Sequence, residues 1–159
     1  MVILFMQYLI IFLISMVPLI ELRGAIPYAI GFKLPLLPSY IICILGNMLP
    51  VPFIFLFARK ILVWGSDKKY IGGFFNWCLK KGEKGGKKLQ EKAGRGLYVA
   101  LFLFVGIPLP GTGAWTGALI ASLLEIDIKK ASLAILCGVA LATAIMYFVS
   151  YVVVGNIVS

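Results

Sequence analysis

The sequence predicts an all-α integral membrane protein: an inverted repeat with two re-entrant helical hairpins, spanning helices and a cytoplasmic amphipathic helix. Three observations lead there. First, 62% of the 159 residues are apolar and 13% are charged, where a soluble domain has roughly 45–50% and about 25%. Second, 11 of the 15 Lys and Arg residues are confined between Arg59 and Arg95, a basic interval between two apolar halves. Third, one apolar stretch in each half is interrupted mid-run by Pro and Gly. The expected organisation is a single transmembrane domain, with repeat 1 at about 2–58, a basic cytoplasmic linker at about 59–96 and repeat 2 at about 97–155.

The first apolar run, Val2 to Ile20, has neither a basic leader nor a small-x-small cleavage site after it, so a retained membrane segment is expected rather than a signal peptide. It meets Glu21-Leu22-Arg23-Gly24-Ala25-Ile26-Pro27, and apolar character returns only as far as Phe32. Tyr40 to Ala58 is long enough to span, with a kink or local unwinding expected at Pro50 and Pro52. Within the basic interval, Ile71, Phe74, Phe75, Cys78 and Leu79 recur at helical spacing. Lys68, Lys69, Lys80 and Lys81 flank them, and Tyr70 and Trp77 add interfacial aromatics. This predicts a helix on the cytoplasmic membrane surface, with packing on the protein itself as the alternative. Leu97 to Pro108 is too short to cross alone and runs into Pro108-Leu109-Pro110-Gly111-Thr112-Gly113. Ala114 to Leu124 is short again, and Ala131 to Val154 is an uncharged final span.

The halves match in the order of their elements. Pro18-Leu19 and Pro108-Leu109 open the two broken motifs ninety residues apart, and Gly46 and Gly138 fall at nearly matching places in the long spans. Placing the basic interval inside makes Tyr40 to Ala58 run inward. Lys129 and Lys130 also prefer the inside, so Leu97 to Leu124 enters and leaves on the cytoplasmic face. Val2 to Phe32 becomes its counterpart from outside, and the two tips meet near the midplane. The rival topology is a single kinked span from Leu97 to Leu124 with Lys129 and Lys130 outside.

Glu21 and Arg23 are the informative charges. An unpaired charge among apolar stretches costs about 2.5–3.5 kcal/mol on insertion scales, so each needs a partner, a water-filled cavity or a use. The alternative is a plain surface loop. Gly24, Pro27, Pro108, Pro110, Gly111, Gly113 and Gly117 break helices, and freed N–H groups at a half-helix start attract anions. Ordinary kinking and close helix packing would also account for these residues. Arg23 adds a fixed positive charge, Glu21 a group that can take up a proton, Thr112 a hydroxyl and Trp115 an amphipathic wall. There is no histidine, no CxxC pair, no paired acid cluster and no Gly-rich phosphate loop. No metal, cofactor or enzymatic activity is expected. The basic interval reads as topogenic, and nucleic acid is not an expected partner.

ELRGAIP together with PLPGTGAWTG resembles the prokaryotic family of small multi-drug export proteins, over nearly the whole chain. The plan is more remotely similar to DedA and VTT-domain membrane proteins, which are inverted repeats with two re-entrant loops. The resemblance implies a transporter in the prokaryotic plasma membrane with its site at the two tips. On this chain those are Glu21, Arg23, Gly24 and Pro27, and Pro108 to Gly113 with Trp115 and Gly117. Unlike the DedA type, the second tip has no charged residue. The expected function is a secondary transporter or flippase for an anionic or amphipathic small molecule or lipid. Expected partners are membrane lipids, a coupling proton or sodium ion, and a second copy of the chain, because so few spans do not enclose a pathway. The alternative is a membrane scaffold acting through the basic amphipathic segment.

Overall fold

The computed structural model describes residues 2–18, 20–70, 72–77, 79–80, 91, 94, 96–109 and 111–158, and among these every regular element is helical. Helix α1 is Val2–Met16 and α2 is Glu21–Gly31. The elbow between them ends at Glu21, which adopts φ +50°. Helices α3 (Leu36–Met48) and α4 (Pro50–Ser66) form one rod of 31 residues. The expected disturbance at Pro50 and Pro52 is a single interruption at Leu49. That residue keeps αR torsions and its N–H still bonds Leu45 O at 3.0 Å, so the helix continues. Helix α5 is Gly96–Gly106, α6 is Ala114–Leu123 and α7 is Ile128–Val158.

Two helices are long and apolar enough to cross a membrane, Leu36–Ser66 and Ile128–Val153. Only 39% and 28% of their most apolar windows are buried. Leu37, Ile41, Leu45, Phe53, Leu56, Leu133 and Phe148 point outward. An equally apolar core helix of a soluble protein would be mostly covered, so this coat is built for lipid. At 1.5 Å per residue the first rod is about 46 Å long, against roughly 30 Å of hydrocarbon. The excess carries Arg59 and Lys60 towards water.

Contacts fix the register of these rods. The Tyr40 hydroxyl donates to the Ala140 carbonyl at 2.5 Å, and Leu36 shares a cavity wall with Phe148 and Tyr151. At the other end Arg59 pairs with Glu125 at 2.5 Å, just before α7 begins. The α3–α4 rod and α7 therefore run antiparallel. Helix α5 lies along α7 in parallel: Tyr98 and Phe102 share a wall with Lys130, Leu133 and Cys137, while Gly106 approaches Leu141.

Close approach depends on glycine at two related crossings. A Cβ at Gly46 would stand 2.7 Å from the Phe12 carbonyl oxygen and 3.0 Å from Ser15 Cβ. One at Gly138 would stand 2.8 Å from the Phe102 carbonyl oxygen and from Val105 Cβ. Helices α1 and α3 thus cross as α5 and α7 do. The short helices α2 and α6 also end alike. Lys33 and Glu125 both take φ +54°, and the next N–H closes back on Ala29 O (3.0 Å) or Ala121 O (3.1 Å). This is a Schellman ending without glycine, and the residue that follows, Leu34 or Ile126, is buried against the core. Each short helix packs on the other half's long rod, α2 on α7 and α6 on α4.

The expected surface helix is helical at 72–77 and 79–80; Ile71, Cys78 and residues 81–90 lie outside the described residues. The segment turns back on the end of α4. The Phe75 ring fills the space that a Cβ at Gly65 would need, and Asn76 donates to the Ser66 carbonyl at 3.2 Å. Tyr70, Phe74 and Trp77 are exposed.

Candidate functional site

The two interrupted helices meet tip to tip. Helix α6 begins with N–H groups that have no carbonyl one turn earlier to bond. Here they face Glu21: the Trp115 N–H donates to Glu21 Oε1 at 3.2 Å, and the Ala114 N–H also faces this carboxylate. The carboxylate is 3% exposed. A buried charge requires hydrogen bonds and opposite charge around it. The positive end of α6 provides both, so a residue 94 positions away caps the helix.

Gly113 makes this contact feasible. Its torsions, φ +150° and ψ −173°, belong to a region essentially restricted to glycine. A Cβ there would overlap the carboxylate, 2.6 Å from Glu21 Cδ. One residue earlier, the Thr112 hydroxyl accepts from Arg23 Nη2 at 2.7 Å. It also lies 2.8 Å from the Ile107 carbonyl, 2.9 Å from the Leu109 carbonyl and 3.3 Å from the Leu109 N–H. Its one proton goes to a carbonyl of its own loop, while its lone pairs take the Arg23 and Leu109 donors. Arg23 therefore reads the folded shape of the second tip. Trp115 adds a third tie, its indole N–H donating to the Met16 carbonyl at 3.1 Å, one of the orphan carbonyls at the end of α1.

The structure thus gathers Glu21, Arg23, Thr112, Gly113 and Trp115 into one cluster. Pro108 and Gly111 shape the loop beside it, Gly111 with φ +84°; Pro110 lies outside the described residues. Three expected site residues sit elsewhere. Gly24 lies where a Cβ would collide with the Ile20 side chain. Pro27 is on an exposed face of α2, beside Tyr28, Gly31 and Phe32. Gly117 gives room to Val105, 2.7 Å from where its Cβ would be. These two glycines serve helix packing.

One member of the cluster was not singled out from sequence. Asn47 on α3 is completely buried and lies against the Glu21 carboxylate, yet neither its Nδ2 nor its Oδ1 makes a hydrogen bond of normal geometry among the described residues. The signal was available, since Asn47 is the sole carboxamide or charge in the apolar run from Tyr40 to Ala58. A polar group inside a span is a functional candidate by default. Beside the cluster, an apolar groove of about 540 Å³ lies between α4 and α6, lined by Met16, Pro50, Phe53, Phe57, Trp115 and Leu119.

Comparison with curated proteins and with solved structures returns no match. Residues 21–145, from the buried glutamate to the middle of α7, match the family described as "Putative small multi-drug export protein". That match begins at Glu21 and includes the whole tip-to-tip cluster. With two apolar rods and a lipid-type surface already described, the chain is a membrane protein with a transporter-like role, and it belongs to the small multi-drug export protein family.

Proposed function

We propose that this chain is a secondary transporter or flippase. It moves an anionic or amphipathic small molecule or lipid through a site formed where two re-entrant tips meet. The observation that carries the reading is the cluster itself: a buried carboxylate, a half-buried guanidinium and a broken helix start, joined across two halves of a membrane protein. Such groups are costly in lipid and mark substrate or ion paths. The adjoining apolar groove suits the hydrocarbon part of an amphipathic molecule.

The re-entrant, inverted-repeat reading has its own support. Helix α5 starts level with Lys130 and ends level with Leu141, and α6 returns to Glu125, which pairs with Arg59. The second hairpin so enters and leaves on the side of the basic interval, which the positive-inside rule makes cytoplasmic. The matching glycine crossings and Schellman endings support the same shape for the first hairpin, entered from the opposite face. Proton coupling through Glu21, a multi-pass plasma-membrane location and a homodimer complete the proposal.

The test is flux in proteoliposomes. Carboxyfluorescein release and the flipping of fluorescent phosphatidylglycerol are measured for the wild type and for Arg23→Ala, with membrane insertion checked in both. The expected result is movement of at least one probe by the wild type and none by the variant. Equal movement by both would remove the tips from the transport path.

A further inference from the structure

The N-terminus of α6 is occupied by the protein's own anion. We infer that Glu21 and a transported oxyanion compete for this seat, with protonation of Glu21 opening it and Asn47 receiving the protonated side chain. The inference rests on the transporter reading and supplies its coupling rule: one proton bound for each singly charged carboxylate or phosphodiester seated.

Two independent observations support the exchange. The Trp115 N–H already holds a carboxylate, with the Ala114 N–H facing it, so the seat fits an oxyanion by demonstration rather than by analogy. Gly113 keeps the approach clear. The second observation is Asn47. A completely buried carboxamide whose Nδ2 and Oδ1 make no hydrogen bond of normal geometry among the described residues is rare, and this one lies against Glu21. When ionised, Glu21 needs donors and finds them on α6. Once protonated, it needs an acceptor for its O–H, and the buried side-chain acceptor without a donor among the described residues is Asn47 Oδ1. A solvent proton adds to a Glu21 carboxylate oxygen, and the Trp115 N–H is released to the incoming anion. Net charge at the seat is unchanged.

The surroundings leave Glu21 as the group that changes charge. On its own helix are Arg23 and Tyr28. Helix α1 contributes only Tyr8, α3 contributes Tyr40 and Cys43, and α6 has no titratable group. On α4, Arg59 lies at the Glu125 end with Lys60 next to it. On α7, Lys129 and Lys130 belong to that same end, and Cys137, Tyr147 and Tyr151 follow along the helix.

The experiment uses Trp115 as its own reporter, in the purified full chain with Trp64→Phe and Trp77→Phe. Fluorescence titrations with benzoate, dimethyl phosphate and phosphatidylglycerol in mixed micelles are repeated across pH. The two soluble anions and the lipid distinguish a free substrate from a headgroup. Where Glu21 is ionised, affinity for at least one probe should fall about tenfold per pH unit, the slope of one linked proton. Glu21→Gln and Glu21→Ala should bind that probe with no such slope. Asn47→Leu should weaken binding in mildly acid buffer when Glu21 is present and have no effect in Glu21→Ala. A wild type without the slope, a slope that survives in Glu21→Gln, or no binding of any probe overturns the exchange. Loss of flux in Arg23→Ala would stand apart from all three.

Discussion

Replacing Gly113 with Ala tests whether the Glu21 cap holds the two tips together. The added methyl would overlap the carboxylate, 2.6 Å from Cδ and 2.7 Å from Oε1. Glu21 is 3% exposed and hemmed in by α6, so it can yield only by leaving its N–H donors. Breaking hydrogen bonds to a charged group costs about 1.5–3 kcal/mol. Holding Ala at φ +150° adds roughly 1–3 kcal/mol of backbone strain. The expected loss is therefore about 2.5–6 kcal/mol. The cycle with Glu21→Ala separates the two contributions. Without the carboxylate the new methyl has room, so Gly113→Ala should then cost only its strain, leaving a coupling of about 2 kcal/mol or more. Gly111→Ala is the control: it has φ +84° but nothing within 4 Å of its Cβ, so strain alone should be seen. Denaturation of the purified protein in detergent, followed by Trp115 fluorescence, measures all four variants. Additive costs for Gly113→Ala and Glu21→Ala would refute the contact.

The matched crossings predict that Gly46→Ala and Gly138→Ala each destabilise by about 1–3 kcal/mol through overpacking, while Gly31→Ala, with open space around it, stays within about 0.5 kcal/mol of wild type; the same denaturation assay decides. Trp115→Phe keeps the backbone bond to Glu21 and loses the indole bond to the Met16 carbonyl. It should cost about 1 kcal/mol for the part-buried hydrogen bond lost, while preserving any pH-linked anion binding, read with a labelled probe. Glu125→Gln removes a half-exposed ion pair with Arg59 and should change stability by at most about 1 kcal/mol. A larger loss would mean that this pair supports the fold rather than simply marking the end shared by α4 and α6.

Much of the plan was legible because lipid restricts what a chain can do. Apolar runs of spanning length, a confined basic interval and Pro/Gly interruptions identify rods and breaks without any tertiary information. The tip residues Glu21, Arg23, Thr112 and Trp115 stood out as charges and polar groups where they are expensive. What the sequence could not supply was pairing. Arg23 and Glu21 are two residues apart and of opposite charge, which invites a mutual pairing. Instead, Arg23 donates to Thr112 and the Trp115 N–H of α6 donates to Glu21. The freed helix start expected to await an anion is already filled by one from the other half. Asn47 was passed over because a single amide barely alters an apolar run. Gly24, Pro27 and Gly117 break or pack helices by the same chemistry whether at a tip or away from it, so residue type alone could not sort them. The ends of α2 and α6 carry Lys33 and Glu125 in a conformation that usually signals itself by glycine, which hid the likeness of these two helix ends from a reading of letters.

Side-specific cysteine labelling decides whether the two tips enter the membrane from opposite faces. Single cysteines at positions 33, 59, 112 and 128, in a background lacking Cys43, Cys78 and Cys137, are probed with an impermeant thiol reagent in sealed vesicles of known orientation. Positions 59 and 128 should label from the cytoplasmic side and position 33 only from the other, with position 112 protected from both in the capped state. Labelling of 33 and 128 from one and the same face would contradict the opposed hairpins and the transport path built on them.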